Sequence, residues 1–191
     1  MPSLHKITVF INDTIKANLT KKPFKGSIYK GITEAVVDDV DGNSKPCIVD
    51  NDGQATSVII NDVYPMQIYH KTISIRYNEA ENNYGKPGNT TEEEANMQLV
   101  FIGNRNKLNL TKENIIALLA VFFPKNVKTT DVSSPDFLSC SISIGTAELN
   151  TRTVYNNEYG NIDFNLPPNY VMMSLPYTVV TSYNKSCIVV C

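Results

Sequence analysis

The clearest hydrophobic pattern in the chain runs from Met97 to Pro124, and it predicts a buried strand followed by a buried helix. Residues 97–102 are an apolar run that is rich in strand-forming side chains, and the turn residues 103–106 end it. Thr111 then stands as an N-cap. The apolar residues of the helix recur at three- and four-residue steps and leave little of its circumference polar: Ile115, Ile116, Leu118, Leu119, Val121, Phe122 and Phe123. We expect the rest of the fold to pack around this unit.

Alternating apolar and polar positions predict strands before and after this unit. Residues 69–77 alternate in this way, and residues 138–144 give the most regular alternation in the chain. A last strand spans residues 170–181. Pro176 lies within it, and because proline cannot donate to a hydrogen-bonded ladder, this strand is predicted to lie at a sheet edge or to carry a bulge.

The first third of the chain predicts a helix and then a hairpin. Apolar residues at helical spacing favour a helix over Ser3–Leu19, and the competing interpretation is a strand over residues 7–11. Further on, Cys47–Val49 and Thr56–Ile60 have strand character, and the acidic, glycine-containing residues 50–53 between them suit a hairpin turn.

Four shorter segments complete the predicted elements. Residues 32–40 fit either a strand or a short helical turn, and residues 125–136 are predicted to be a polar linker. Residues 148–155 and 161–165 suggest two strands, and residues 166–169, with two prolines, predict a rigid turn.

The longest stretch without an apolar pattern is Asn78–Asn96. It is polar and acidic, and it contains Glu92, Glu93 and Glu94 in a row. A connection of this length is uncommon in a compact domain and is usually functional or disordered. Two interpretations stay open: a solvated, mobile hairpin excursion, and an arm that becomes ordered only against a neighbouring subunit.

Taken together, these elements predict one α+β domain over residues 1–191. Its mainly antiparallel sheet has an N-terminal helix and a buried central helix, with the helices on one face and a long acidic arm at residues 78–96.

Composition changes this picture little. With 191 residues, 42% hydrophobic and 19% charged, the chain has the composition of a globular protein. A formal net charge of −2 does not indicate general affinity for nucleic acid. We find no apolar run typical of a signal peptide or of a membrane span, and we expect a reducing compartment.

Candidate chemistry is sparse. The four cysteines include no Cys-x-x-Cys pair and the two histidines are far apart, so we expect no metal site. Two acidic turns, at residues 39–43 and 50–53, lack the ligand spacing of an EF-hand. The serines of the 138–144 strand form its solvent side, and no nucleophile motif accompanies them.

One enzymatic hypothesis stays open, a hydrolase in which Cys140 acts with His70. That mechanism needs both groups to be exposed, adjacent and oriented. Cys140 lies on the apolar side of its predicted strand and His70 on the polar side of another. We therefore expect no catalytic residue, no cofactor and no enzymatic activity.

The order of elements resembles a known family. The residues behind this likeness are Tyr64–His70, the Met97–Pro124 unit, Asn157–Tyr159 and Leu166–Tyr170. With them, the plan of helix, sheet, long hairpin, buried helix and closing strands resembles tail-terminator and neck ring proteins of tailed bacteriophages. The likeness is greatest to tail ring proteins of crAss-like phages that infect Bacteroidetes.

The resemblance implies a tail-terminator-like fold and a structural protein of the virion. Copies would form a homo-oligomeric ring between portal and tail, contact other neck and tail proteins, and let DNA pass without specific binding. Such a protein needs no membrane and assembles in the host cytoplasm. The expected contacts between copies are the acidic arm, with Tyr84 and the three glutamates, and the strand near Pro176. We also expect the glutamates to suit a channel for DNA, because like charges repel.

One further alternative shares this plan. Structural or binding modules of phage-derived secretion and injection apparatus can have the same elements, and the sequence separates them poorly from virion proteins.

Overall fold

The fold is that of a computed structural model, which describes residues 4–19, 26–40, 43–49, 55–57, 66–81, 87–108, 110–132, 137–160, 162 and 165–184. The helices of this part are α1 (Leu4–Leu19), α2 (Arg105–Leu108), α3 (Lys112–Phe122), α4 (Thr129–Val132) and α5 (Thr151–Tyr159). Its strands are β1 (Gly26–Ile32), β2 (Glu34–Val40), β3 (Asn43–Val49), β4 (Ala55–Ser57), β5 (Met66–Glu81), β6 (Pro87–Asn104), β7 (Asn126–Val127), β8 (Phe137–Ile144) and β9 (Tyr170–Asn184).

The strands form a large and a small sheet. Within the described residues, the large sheet has the order β1-β5-β6-β9-β8-β7, and the small one has the order β2-β3-β4. Only β1 and β5 pair in parallel among these strands, and the other pairs are antiparallel. The predicted α+β class with a mainly antiparallel sheet and an N-terminal helix is confirmed.

Residues 99–104 of β6 are buried on both faces of the sheet. Leu99 and Phe101 belong to the core that α1 and α3 cover, whereas Val100 and Ile102 belong to a second core with α5. Because successive strand residues point to opposite faces, this apolar run requires cover on both sides. The prediction that the helices lie on one face is therefore wrong, since α5 packs on the face opposite α1.

Helix α1 forms as predicted, and the alternative strand is wrong. Its buried apolar side chains recur every three or four residues and face the sheet, and they are Leu4, Ile7, Ile11, Ile15 and Leu19. At about 1.5–3 kcal/mol for each large side chain, this stripe contributes on the order of 10 kcal/mol of gross stabilisation.

The central helix is present, but it is less buried than predicted. The Thr111 side chain accepts a hydrogen bond from Asn114 N at 3.3 Å, which confirms the N-cap. Ile115 and Leu119 are buried, whereas Val121 is 76% exposed. The helix packs along one side against α1 and leaves its other side in water, so its apolar side chains are not all core residues.

The predicted turn at residues 103–106 is also wrong. Strand β6 continues to Asn104, and Arg105 begins the short helix α2. Gly103 is needed within the strand because a Cβ there would collide with the side chains of Leu108 and Phe101.

The strand predicted over residues 148–155 is wrong from residue 151 onward, where helix α5 begins. The Asn150 side chain caps α5 by accepting hydrogen bonds from Arg152 N at 3.1 Å and Thr153 N at 3.3 Å. Tyr69 Oη donates to Glu158 Oε2 at 3.2 Å, and Lys71 forms an ion pair with the same carboxylate. These contacts fix α5 against β5.

For the other short segments, the structure agrees with the sequence prediction only in part. The predicted linker 125–136 contains β7 and α4, and residues 32–40 are strand apart from Thr33. In the second predicted strand, 161–165, residues 162 and 165 are not strand and the others lie outside the described residues. The hairpin of β3 and β4 is confirmed, although its turn lies outside the described residues.

Two predictions about strand position are wrong. Residues 78–81 and 87–96 are not an unstructured connection, because they belong to β5 and β6. Pro176 is not on an edge strand, because β9 lies between β6 and β8, and no bulge interrupts its ladder with β6. The carbonyl group of Pro176 accepts a hydrogen bond from Gly145 N on the β8 side. The last β8–β9 pair is Ile144 with Tyr177, so the N–H group that Pro176 lacks would have pointed to where the β8 ladder has already ended.

His70 is fully buried, contrary to the prediction that it lies on a polar face. Its Nε2 is 2.7 Å from Asn12 Oδ1 of α1, and its Nδ1 is 2.7 Å from Tyr177 Oη of β9. Since an amide oxygen only accepts, Nε2 carries the proton and Nδ1 accepts from Tyr177. Burial lowers the pKa of His70 from 6.5 to about 3, so the imidazole is neutral at neutral pH.

This burial predicts a pH-dependent stability. Between pH 6.5 and about 3 the unfolded chain takes up a proton that folded His70 does not bind. We therefore expect the free energy of unfolding to fall on acidification through this window, by up to about 1.4 kcal/mol per pH unit from this group. Denaturant unfolding at several pH values measures the slope.

The matched variants are His70→Gln, whose amide can keep both hydrogen bonds, and His5→Gln at the partly exposed histidine of α1. The first variant should lose this part of the slope and the second should keep it. An unchanged slope in His70→Gln would contradict the assignment, and an imidazole of His70 that titrates near 6.5 by NMR would do the same in the unaltered chain.

Candidate functional site

Over much of its length, the outer edge of β5 pairs with no strand among the described residues. Strand β1 pairs with β5 only from Met66 to His70, whereas β6 pairs with β5 as far as Glu81. From Lys71 onward, one row of backbone N–H and C=O groups on β5 therefore faces away from every strand that the structure describes. We call residues 73–78 the free edge segment.

The free edge segment carries large exposed side chains. Ile73 is 57% exposed, Ile75 42% and Tyr77 61%. Residues 66–70 of the same strand are buried, so the predicted half-buried strand is in fact buried at one end and exposed at the other. Native proteins usually protect a long edge with charges, proline or a bulge. Here a register shift lies at Ile73, and Arg76 is the one charged residue of the segment.

Next to this edge, one face of the large sheet is polar, and no helix that the structure describes covers it. Its residues lie in register across β5, β6, β9 and β8 and are all partly or fully exposed. Asn96 Nδ2 donates to Ser74 Oγ at 3.1 Å, and Thr178 Oγ1 donates to Asn96 Oδ1 at 3.0 Å, which links three strands. We call this surface the polar sheet face: Ser74, Arg76, Asn78, Glu92, Glu94, Asn96, Ser139, Ser141, Ser143, Thr178, Val180 and Ser182.

Strand alternation separates the three predicted glutamates. Glu92 and Glu94 lie on the polar sheet face, partly exposed, and Glu94 pairs across the ladder with Arg76. Glu93 points to the opposite face and is only 5% exposed. Of the other predicted contact residues, Pro176 is exposed within β9, and Tyr84 lies outside the described residues.

Glu93 connects the buried side of the sheet to the free edge segment. It lies opposite Tyr77 on β5 and Thr181 on β9. Burial raises the pKa of the Glu93 carboxyl group, and the hydrogen bond from Tyr77 partly offsets this effect. The sequence could have predicted this placement, because every second residue of a strand lies on the same face. Residue 93 is an even number of residues before Phe101 and therefore lies on the α1 side.

The geometry does not support a hydrolase built on Cys140 and His70. Both ring nitrogens of His70 are hydrogen-bonded, to Asn12 and Tyr177, and the ring is fully buried. Burial raises the pKa of the Cys140 thiol to about 11, so it stays protonated at neutral pH. A thiol without an adjacent base is a poor nucleophile.

The described residues also contain neither a metal-binding cluster nor a membrane-spanning helix. No group of three or more His, Cys, Asp or Glu in the described residues is arranged to hold a metal ion. Over the same residues, every helix is too short or too polar to cross a membrane. The chain matches no model of a known protein family, and a search of curated proteins finds no match.

The buried carboxyl group generates a second pH prediction. Folded Glu93 holds its proton to a higher pH than the unfolded chain does, so its ionisation lowers stability above pH 4.5 until the folded group has also titrated. We expect Glu93→Gln to raise the free energy of unfolding at pH 8 and to change it little at pH 4.

Glu92→Gln is the control, because its side chain is partly exposed and the change should stay within about 0.5 kcal/mol at both pH values. Denaturant unfolding at the two pH values measures the free energy of unfolding of the parent and of both variants. A Glu93→Gln variant that is less stable than the parent at pH 8 would show that the carboxylate is well solvated or paired.

Proposed function

We propose that this chain is a structural protein that assembles with copies of itself, and that the assembly is a ring in the neck or tail of a bacteriophage. The observation that carries the proposal is the free edge segment, whose outer backbone groups pair with no described strand and which has three large exposed side chains. A strand of a neighbouring copy would pair with this edge and cover those side chains.

The free energy of such a contact has a favourable and an unfavourable part. A strand added to the edge would satisfy a row of backbone groups and remove Ile73, Ile75 and Tyr77 from water. Each large side chain contributes at most about 1.5–3 kcal/mol when it is fully buried, and these are half buried already. The gross gain is therefore a few kcal/mol, against which association costs several kcal/mol of freedom. In a ring of n copies, n contacts form in n−1 association steps, so the contact that closes the ring forms without a further association cost.

A ring follows when the two contacting surfaces differ and the rotation between copies closes. The order of elements, which resembles tail-terminator and neck ring proteins, supports the location between portal and tail. The polar sheet face suits the lining of a channel, because Glu92 and Glu94 outnumber Arg76, which lies opposite Glu94, and the hydroxyl and amide groups carry no charge. The partners would be further copies and the adjoining neck, tail and portal proteins.

The assembly contact is tested by placing a charge in it. We expect Ile75→Lys to raise the dissociation constant of the oligomer at least tenfold, which corresponds to about 1.4 kcal/mol, because a lysine on an edge strand opposes the addition of another strand. Val121→Lys is the control, since it makes a similar change at a more exposed position on α3. Sedimentation velocity measures the oligomer.

Thermal unfolding of both variants checks that they fold. An oligomer that tolerates Ile75→Lys as well as Val121→Lys would contradict the edge contact. A parent chain that stays monomeric at every concentration would contradict self-assembly.

The location is tested separately. We expect mass spectrometry of purified particles of the phage that encodes this chain to detect it at several copies per virion, and labelled chain to lie at the neck or tail in electron micrographs. Its absence from purified virions would overturn the virion ring while leaving self-assembly standing.

A further inference from the structure

Strand β2 is an edge strand of the small sheet. It pairs with β3 along its whole length, from Glu34 with Val49 to Val40 with Asn43, and no strand that the structure describes pairs with its other side. Val37, in the middle of β2, is 41% exposed. The described part of the chain therefore has a second strand edge with a large apolar side chain in water, on a different sheet from the free edge segment.

Strand β2 leaves β5 at the point where the unpaired edge of β5 begins. Ile32 of β1 pairs with His70, and Thr33 N donates to His70 O at 2.8 Å. Just beyond this contact, a cleft of about 400 Å³ is lined both by residues 32–35 and by Lys71 and Thr72 of β5. From here on the chain continues into the small sheet, and it does not cover the outer edge of β5.

The β2 strand of the same chain is held in the small sheet. Its ladder with β3 is continuous, and Ala35 packs against the second core, to which β3 contributes the fully buried Ile48. To cover the free edge segment of its own chain, β2 would have to leave this core. The β2 strand of a neighbouring copy can present its outer edge and keep both contacts.

The ladder of β5 with β6 shows which backbone groups the free edge segment offers. The carbonyl group of His70 points away from β6, because it accepts from β1. Residues of an antiparallel ladder alternate between bonding to the partner strand and pointing away from it. Residues 99, 95 and 93 of β6 lie opposite His70, Ile75 and Tyr77, and they are an even number of residues apart. The N–H and C=O groups of Ile75 and Tyr77 therefore also point outward, toward an added strand.

The charges of the two edges are opposite. The sequence of β2 contains Glu34, Asp38 and Asp39 and no basic residue, whereas the free edge segment contains Arg76 and no acidic residue. Opposite charges on neighbouring strands stabilise a sheet, and like charges destabilise it. Two free edge segments paired with each other would bring two copies of Arg76 into one ladder, so β2 is the better partner.

The opposite edge of the large sheet is less suitable. Leu138 of β8 is 49% exposed, but the middle of the outer side of β8 is occupied. Cys140 and Ser141 pair with β7, and Ile142 N donates to Lys125 O at 2.8 Å. A strand of another molecule could run along β8 only if it displaced β7.

We propose that β2 of one copy pairs with the free edge segment of the next copy, so that the small sheet of one continues into the large sheet of the other. This inference rests on the proposed self-assembly and names its second surface. The two surfaces differ, as the contacts of a closed ring require. The two strands are antiparallel, because a parallel arrangement would direct β1 of the neighbour onto the β1 that already pairs with β5.

Cysteine cross-linking between two singly substituted chains tests this contact. One chain carries Val37→Cys and the other Ile75→Cys, with an isotope label on one of them. Because each chain has only one of the two new thiols, a link between positions 37 and 75 has to join two copies. We expect a short bismaleimide to give this link as the main product. A mixture of Val121→Cys with Ile75→Cys is the control and should give at least tenfold less product.

The native thiols need a defined background. Cys47 and Cys140 are buried and do not react in the folded chain. Both test chains carry Cys187→Ser and Cys191→Ser in addition, so that the introduced thiol is the reactive one in each chain.

A charged substitution gives an independent measurement. We expect Val37→Lys to raise the dissociation constant of the oligomer at least tenfold, because a lysine on an edge strand opposes strand addition. Leu138→Lys is the matched control, since it makes a similar change at a comparably exposed position on β8. Sedimentation velocity measures both variants, and thermal unfolding checks that they fold.

The possible results separate this inference from the proposed function. The link between positions 37 and 75, with weakened assembly of Val37→Lys, supports β2 as the second surface. A link between two Ile75→Cys chains would replace it with a two-fold pairing of free edge segments, and weakened assembly of Leu138→Lys alone would assign the contact to β8. An oligomer that gives no 37–75 link and tolerates Val37→Lys would overturn the role of β2 while self-assembly stands. A chain that stays monomeric at every concentration would overturn both.

Discussion

The rest of the structure depends on how the two faces of β6 are covered. This strand pairs along its length with β5 on one side and with β9 on the other. Where α1 and α5 lie on opposite faces, successive residues such as Phe101 and Ile102 are both apolar and both buried. Where α5 no longer covers the sheet, alternate residues become polar, beginning with Gln98. The residues of β6 are thus mostly apolar on each face where a described helix covers it and polar where none does.

On its α5 side, the large sheet is longer than the helix that covers it. An 18-residue strand spans about 60 Å, whereas α1 with 16 residues spans about 24 Å and α5 with 9 residues about 14 Å. The remaining sheet has to be polar or covered by another molecule. The polar sheet face meets the first requirement, and the free edge segment, with two isoleucines and a tyrosine in water, does not. That imbalance is the physical basis for proposing self-assembly.

Sequence patterns predicted the elements whose environment is uniform along their length. α1 faces one core throughout, and β8 alternates between buried Cys140 and Ile142 and exposed serines, so each has one clear period. The pattern failed where the environment changes. β5 and β6 remain strands after they leave the core, and with no apolar side to mark them, residues 78–96 had the composition of a loop. The prediction for His70 failed for a related reason. Residues 66–70 are buried on both faces, so alternation of polar and apolar residues there does not indicate which face is exposed to solvent. α5 was missed because a nine-residue helix with two buried tyrosines offers little more than two turns of pattern.

The candidate surfaces depend on packing that no local pattern contains. Glu92, Glu93 and Glu94 are chemically identical, yet the pleat directs the first and last to the polar sheet face and the middle one against Tyr77. Strand β2 follows β1 directly in sequence, yet it pairs with β3 rather than with β5, which leaves an outer edge of both β2 and β5 without a described partner. The titratable groups in the core, His70 and Cys140, are by contrast withdrawn from water, and the imidazole joins α1 to the sheet. In this chain the histidine and the thiol lie in the core, and the surfaces proposed for assembly lie where the sheet meets solvent.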